Sequence, residues 1–359
     1  MSIIPKRPAK NVTELSRSEL EHLFKELGQP NFRAKQLYDW VHKKGVRSFS
    51  EMTNFPNALR EKLVSEGYEV GRVAIDQLLV SVDGTRKLSV KLSDGGVVET
   101  VLIPMGDGEF TQCISSQVGC ALDCKFCYTG TLGLSRHLTP GEMVDQVLVG
   151  RSNLPEGARL SHIVYMGMGE PLHNFDHVVE SIRRISDPEG IGLSQRRITV
   201  SSSGLVPAIR KLGQTLKVNL AISLNAADDE TRGRIMPINK TYNLETLIQT
   251  LRDYPLPPRR KMTMEYVMLG GVNDRPEDAK NLKRLLHGLP VRVNLIPWNP
   301  FQGPGFDRPE ESAVRHFQQT LKGAGFPVTV RVTKGLDIDA ACGQLGERSP
   351  ELVTITEGR

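Results

Sequence analysis

FTQCISSQVGCALDCKFC occupies Phe110–Cys127, and here the chain changes character. Phe110–Ser115 reads as a strand, and three cysteines follow it in C-x3-C-x2-C spacing: Cys120, Cys124 and Cys127. Downstream, candidate strands at His162–Met166, Arg197–Ser201, Val218–Leu224, Met262–Leu269, Val291–Pro297 and Val328–Thr333 alternate with candidate helices. The helices fall at Pro140–Arg151, Asn174–Ile185, Val206–Leu212, Leu244–Tyr254, Pro276–His287 and Glu310–Gly323. Repeated strand–helix units imply an α/β fold with a parallel sheet and helices outside it. Six such units are too few for a closed eight-unit barrel, so the pattern predicts an open, partial (β/α)6 barrel. Its site should lie at the carboxyl ends of the strands, where the cysteine loop falls.

Upstream the period changes. Leu79–Val82 and Lys87–Leu92 flank Asp83-Gly84, and Asp94-Gly95-Gly96 precedes Val97–Ile103. Aspartate–glycine between alternating segments signals a hairpin, so a small three-stranded antiparallel adaptor is expected. Before it, Ser16–Leu27, Phe32–Lys44 and Asn57–Ser65 carry apolar residues on one helical face, punctuated by Gly28, Gly45 and Pro56. Thr139-Pro140-Gly141-Glu142 has the form of a capping box with proline at the first helical position. The expected divisions are a helical module at 1–66, an adaptor at 67–109, a barrel at 110–345 and a tail at 346–359.

The net charge is +5, and residues 1–63 hold 12 Lys/Arg against 7 Asp/Glu, while the remainder holds 34 of each. A basic appendage on a neutral body is the footprint of a phosphate-backbone grip, although a solvated surface gives the same count. The 39% apolar and 24% charged fractions exclude a disordered or fibrous chain. The longest uncharged stretch, Val293–Phe306, has fourteen residues and three prolines, too few and too broken for a membrane span of roughly 20. Met1–Arg7 has no apolar run behind its basic residues, so a secretory leader is not expected and a cytoplasmic site of action is.

Thiolates on a short loop hold iron–sulfur clusters, normally four of them. Three thiolates would leave one iron open, and an open metal position is where a substrate or cofactor binds. Cys113 could instead join the three in a four-cysteine zinc knot. The Cys113-x6-Cys120 gap and the position at the start of a barrel favour the cluster.

With Phe126 before the last cysteine, Cys120-x3-Cys124-x2-Cys127 resembles the radical S-adenosylmethionine signature. Ser115–Cys124 narrows the resemblance to the RNA adenine methyltransferases of the RlmN/Cfr type. So do Gly167–Leu172, Pro237–Lys240, Asn294–Phe301 and Asp337–Leu345. It spans nearly the whole chain. It implies a [4Fe-4S] cluster on Cys120, Cys124 and Cys127, and two S-adenosylmethionine molecules per turnover. The implied reaction methylates carbon 2 of an adenine in 23S rRNA, and of an adenine beside the tRNA anticodon. That carbon is electron-poor, so a radical route is reasonable. In the family's mechanism Cys342 takes a methyl group from one S-adenosylmethionine. A 5′-deoxyadenosyl radical from the second then removes hydrogen from that methyl group, and the carbon radical adds to the adenine. Glu99 takes the ring proton, and Cys113 attacks the crosslinked sulfur, leaving a transient Cys113–Cys342 disulfide that must be reduced. All five cysteines are thereby used, and none remains for the second cluster of a methylthiotransferase.

By the same resemblance, S-adenosylmethionine contacts fall on Gly169, Glu170, Ser201, Ser223, Leu224, Asn225 and Asn299, with Glu170 suited to an ammonium group. An electron donor such as a flavodoxin system is implied, and a monomer is expected. Read without the resemblance, Glu99 is an ordinary strand glutamate. Asn225 stands where the family often has histidine, and Tyr128 where small residues are common. Met262, Met264 and Met268 read as packing residues, and His173 and His177 as core or surface residues rather than ligands. Arg196-Arg197 and Arg259–Lys261 read as solvated loop clusters. The rivals are a methyltransferase acting on carbon 8 of the same adenine, and a non-catalytic zinc protein that binds RNA.

Overall fold

A computed structural model of the chain describes residues 10–71, 73–301 and 303–346. Ten strands form one sheet: β1 (Ala74–Val80), β2 (Arg86–Lys91), β3 (Val97–Gly106), β4 (Glu109–Cys113), β5 (Arg159–Tyr165), β6 (Ile198–Ser202), β7 (Asn219–Ser223), β8 (Met262–Met268), β9 (Val291–Pro297) and β10 (Val328–Val330). They lie side by side in chain order. The pairs from β1 to β4 are antiparallel, and those from β4 to β10 are parallel. The adaptor hairpins thus extend the barrel's own sheet instead of forming a separate one. Glycine in the left-handed region makes the first turn, Gly84 at φ 83°, with Ser81 N–H donating to the Thr85 carbonyl.

Six helices, α4 (Pro140–Ser152), α5 (Phe175–Ser186), α6 (Val206–Thr215), α7 (Leu244–Arg252), α8 (Pro276–Leu285) and α9 (Glu311–Gly323), alternate with the parallel strands. They give six β/α units and a seventh, closing strand. The capping box at α4 forms on both sides: Thr139 Oγ1 accepts from Glu142 N–H, and Glu142 accepts from Thr139 N–H.

Alternation along the strands sorts side chains between the helix layer and the barrel interior. On β8, Met262, Met264, Tyr266 and Met268 are fully buried on one face, while Glu265 faces the opposite side and lines the interior. The same period turns Cys113 on β4, Ser201 on β6 and Ser223 on β7 inward. The methionines are therefore packing residues.

The N-terminal helices α1 (Arg17–Glu26), α2 (Phe32–Tyr38) and α3 (Asn57–Ser65) bury Leu20, Phe24, Leu37, Leu59 and Leu63 in a core continuous with the barrel's. The second helix continues as a π-helix, Asp39–Lys44, and stops at Gly45 in the left-handed region. The module is tied to α4 and α5. Glu14 accepts from Thr139 Oγ1 and Gly141 N–H, and Arg184 donates to the Thr13 and Glu14 carbonyls. Residues 1–9 and 347–359, and with them most of the expected tail, lie outside the described residues. Among the described residues no helix is long and apolar enough to cross a membrane.

Candidate active site

A short antiparallel ladder, Gln117–Gly119 with Leu134–His137, closes the base of the cysteine loop. Gly119 sits at φ 76°, and a Cβ there would lie 1.9 Å from the Gly133 carbonyl oxygen. The same carbonyl accepts from Cys120 N–H at 2.7 Å. Farther along, Lys125 N–H donates to the Ile235 carbonyl and Trp298 Nε1 donates to the Phe126 carbonyl, fixing the loop over the strand ends. Cys120, Cys124 and Cys127 all line one cavity. Burial raises each thiol, Cys120 to about 11, and in Cys124 the charges of Cys127 and Cys120 add to it.

The donor set fits an iron–sulfur cluster. Among the described residues no three His, Cys, Asp or Glu side chains converge on a single-ion site. Three thiols lining one cavity suit a polynuclear group, in which each thiolate ligates its own iron. A second observation agrees. Arg232 is fully buried and donates to four neutral acceptors: the Leu224, Ser203 and Ser223 carbonyls and Asn239 Oδ1. Among the described residues it has no carboxylate within ion-pair distance. Burial lowers its guanidinium to about 10, and the charge of Cys124 opposes that fall. The charge of Asp229, reached through Asn239, opposes it as well, so thiolates at the cysteine loop would add to an anion already near this cation.

Of the residues expected to hold S-adenosylmethionine, Gly169, Glu170, Ser201, Ser223, Asn225 and Asn299 line the same cavity as the three thiols. Glu170 is buried, and burial raises its carboxyl. Its oxygens accept from Leu172 and Ser203 N–H. Gly169 is at φ 95°, so close to Gln117 that a Cβ would meet that side chain at 2.5 Å. Asn225 is also left-handed, a conformation its residue type tolerates. Its Oδ1 accepts from Val267 N–H at 2.8 Å, and its carbonyl accepts from Asn273. Leu224 is outside the cavity wall, its side chain fully buried and its carbonyl taken by Arg232.

Cys342 lines this cavity and a second one, and Cys113 lines the second as well. The two cysteines therefore share a wall although 229 positions separate them. Asn299 Nδ2 donates to the Cys342 carbonyl at 3.2 Å, and Gly343 accepts from Tyr128 N–H. The Tyr128 ring packs edge-on to Phe301 and borders Gly346, so this bulky residue supports the segment carrying Cys342. All five cysteines are free thiols. Glu99, on β3, is buried behind that segment. Its Oε2 accepts from Gly346 N–H at 2.7 Å, and its Oε1 pairs with Lys87 Nζ at 3.0 Å. The other histidines act locally: His137 and His173 stack edge-to-face, and Gln117 bonds both.

Sequence reading missed four interior residues: Arg331, Glu265, Arg232 and Lys87. Strand alternation flags Glu265, but Arg331 lies just beyond β10 and Arg232 on a seven-residue helix, Asp229–Ile235, that no periodicity announces. Arg331 lines both cavities.

Residues 114–283 match the Radical SAM superfamily, the class that a three-thiol loop over a partial barrel defines. Residues 10–68 match the Ribosomal RNA large subunit methyltransferase N-terminal domain. The "Dual-specificity RNA methyltransferase RlmN" of Sorangium cellulosum is 46% identical, covering 89% of this chain and 90% of its own. That of Syntrophobacter fumaroxidans is 46% identical, covering 93% and 97%. The crystal structure of a radical SAM methyltransferase from Sphaerobacter thermophilus superposes with a TM-score of 0.90 at 40% identity, covering 94% of this chain and 99% of that one. The chain belongs to the RlmN family of dual-specificity RNA methyltransferases.

Proposed function

We propose that this protein is a radical S-adenosylmethionine enzyme that methylates carbon 2 of an adenine in 23S rRNA and of an adenine beside the tRNA anticodon. The observation that carries the reading is Cys342, which faces the three-thiol cavity on one side and Cys113 on the other. Cys120, Cys124 and Cys127 would hold the [4Fe-4S] cluster, and Glu170, Ser201, Ser223, Asn225 and Asn299 the S-adenosylmethionine. Bound there, the cluster supplies one electron to cleave the sulfonium compound reductively.

The chain's own residues do the rest. Cys342 sulfur carries the methyl group, two S-adenosylmethionine molecules being consumed per turnover. The buried Glu170 carboxylate orients the cofactor's ammonium. Glu99 accepts the ring proton once the Leu345–Gly346 segment uncovers Oε2. The Cys113 thiolate then attacks Cys342 sulfur, the carbon–sulfur electron pair leaves with the methylene carbon, that carbon takes a proton to become the methyl group, and a Cys113–Cys342 disulfide results. An external thiol reduces it. An electron donor such as a flavodoxin system feeds the cluster, and the enzyme works as a cytoplasmic monomer. Residues 1–66 grip the RNA, supported by exposed Lys43, Lys44 and Arg47, with Lys44 over the Trp40 ring.

The test is mass spectrometry of digested 23S rRNA and tRNA against 2-methyl- and 8-methyladenosine standards, using anaerobically reconstituted protein. 2-Methyladenosine is expected. 8-Methyladenosine would move the reaction to the other carbon, and stoichiometric zinc in place of about four irons would remove the cofactor assignment. Cys342→Ala is expected to abolish turnover with iron content unchanged, and Cys113→Ala to trap a protein–RNA crosslink on a denaturing gel.

A further inference from the structure

Lys87 on β2 and Glu99 on β3 form a buried ion pair across neighbouring strands. Both side chains are under a tenth exposed, and Lys87 Nζ lies 3.0 Å from Glu99 Oε1. Register sets their position with respect to the cysteines. Lys87 on β2 is directly opposite Val101 on β3, and Val101 is opposite Cys113 on β4. Glu99 is two residues before Val101, so Lys87, Glu99 and Cys113 project from one face of the sheet. Val101 lines the cavity that Cys113 shares with Cys342. The Lys87 ammonium also donates to the Asp339 carbonyl at 3.3 Å, on the segment that carries Cys342. It thereby joins the carboxylate to that segment.

Buried carboxylate oxygens need a cation or hydrogen-bond donors as partners. Glu99 has a cation on Oε1 and a single backbone N–H on Oε2. If Gly346 withdraws to admit the RNA base, Lys87 is the remaining partner among the described residues. Oε1 stays with Lys87, and Oε2 is the oxygen free to take a proton.

We infer that Lys87 is the positioning residue of the proton-transfer step: its ammonium holds Oε1 in the buried pair and so turns Oε2 toward the reacting carbon. This rests on Glu99 being the base. In the step itself the C–H bond of the crosslinked adenine breaks, its electron pair stays with the ring, the proton goes to Oε2, and the single surplus electron left by the radical addition returns to the one-electron carrier that began the cycle.

The test compares Lys87→Met, Lys87→Arg, Glu99→Gln and the double variant Lys87→Met/Glu99→Gln, as full-length reconstituted protein. The readouts are methyladenosine formed, protein–RNA crosslink on a denaturing gel, methylation of Cys342 by peptide mass, and iron content. Lys87→Met is expected to keep iron and methylated Cys342, to lose about 100-fold in methyladenosine, and to accumulate crosslink as Glu99→Gln does. Lys87→Arg should restore most of the rate, because it keeps the charge. The double variant removes the ion pair without stranding either charge, so it stays folded even should Lys87→Met lose stability. Its crosslink and rate should equal those of Glu99→Gln alone, since Lys87 acts only through Glu99. A double variant markedly worse than Glu99→Gln, or Lys87→Met turning over at the wild-type rate, overturns the role of Lys87. Glu99→Gln with normal turnover instead overturns the base assignment, and the role of Lys87 falls with it.

Discussion

Burial and the charge of Cys342 push the Cys113 thiol up to about 12, while Arg331 pulls in the opposite direction. The thiolate is the nucleophile, so the resting thiol is nearly inert at neutral pH. In folded, reduced protein at pH 7.5, iodoacetamide should alkylate Cys113 at least about 100-fold more slowly than in unfolded chain, read by peptide mass spectrometry. The rate should climb steeply only in strong alkali. Equal rates in folded and unfolded protein would show that the cavity wall is open. This protection matters to the reading above, because a resolving thiol must wait until a crosslink has formed. Arg331, facing both cysteines, is the cation available to favour the thiolate then.

The cysteine loop depends on its short ladder. Gly119 is left-handed and within a Cβ's reach of the Gly133 carbonyl, so Gly119→Ala forces backbone to move. It should cost about 2 kcal/mol or more, lower the thermal midpoint, and weaken iron retention after reconstitution. The hairpin at Asp83-Gly84 carries a second dependence. Burial raises the Asp83 carboxyl, but hydrogen bonds from Thr85, Gly335 and Ser81 outweigh it and hold the group at about 2. Asp83 Oδ2 accepts from Gly335 N–H, and Ser81 and Val82 bond Asp337, so this turn anchors the segment leading to Cys342. A carboxyl depressed below its unfolded value of 3.8 stabilises the fold above that pH and loses this as pH falls toward 2. The thermal midpoint should therefore drop between pH 4 and pH 2, less steeply in Asp83→Asn. Asp94, also held at about 2, chiefly by Arg136, keeps part of the slope in that variant.

At the scale of the molecule, the helical module and the barrel share one core and are joined by polar ties, among them Lys35–Glu189 and Arg151 to the His42 carbonyl. Arg184 on α5 is buried and donates to the Thr13 and Glu14 carbonyls. Arg184→Met should leave those acceptors without their donor, cost about 1–3 kcal/mol, and speed proteolysis within residues 10–66 before the barrel is cut. Simultaneous cleavage of both parts would mean that the ties do not matter separately. Binding of RNA through the module should weaken as salt rises, with a slope that falls when Lys43, Lys44 or Arg47 is neutralised.

Much of the architecture was readable because its causes are local. Strand–helix alternation after Phe110, the hairpin at Asp83-Gly84 and the capping box at Thr139 depend on neighbours within a few residues. The spacing of Cys120, Cys124 and Cys127 is likewise a property of the chain itself, and with it the ligand set proposed for the cluster. Local pattern did not reveal that the adaptor continues the barrel's sheet, that Arg232 on a seven-residue helix is fully buried, or that Lys87 faces Glu99. Those facts come from tertiary packing: cross-strand register sets Lys87 beside Glu99, and the return of the segment after β10 brings Cys342 to the cavity it shares with Cys113. The sequence by itself set which thiols and carboxylates the protein owns; only the tertiary structure set which of them meet, because burial and pairing are determined by distant segments packed on the same strand ends.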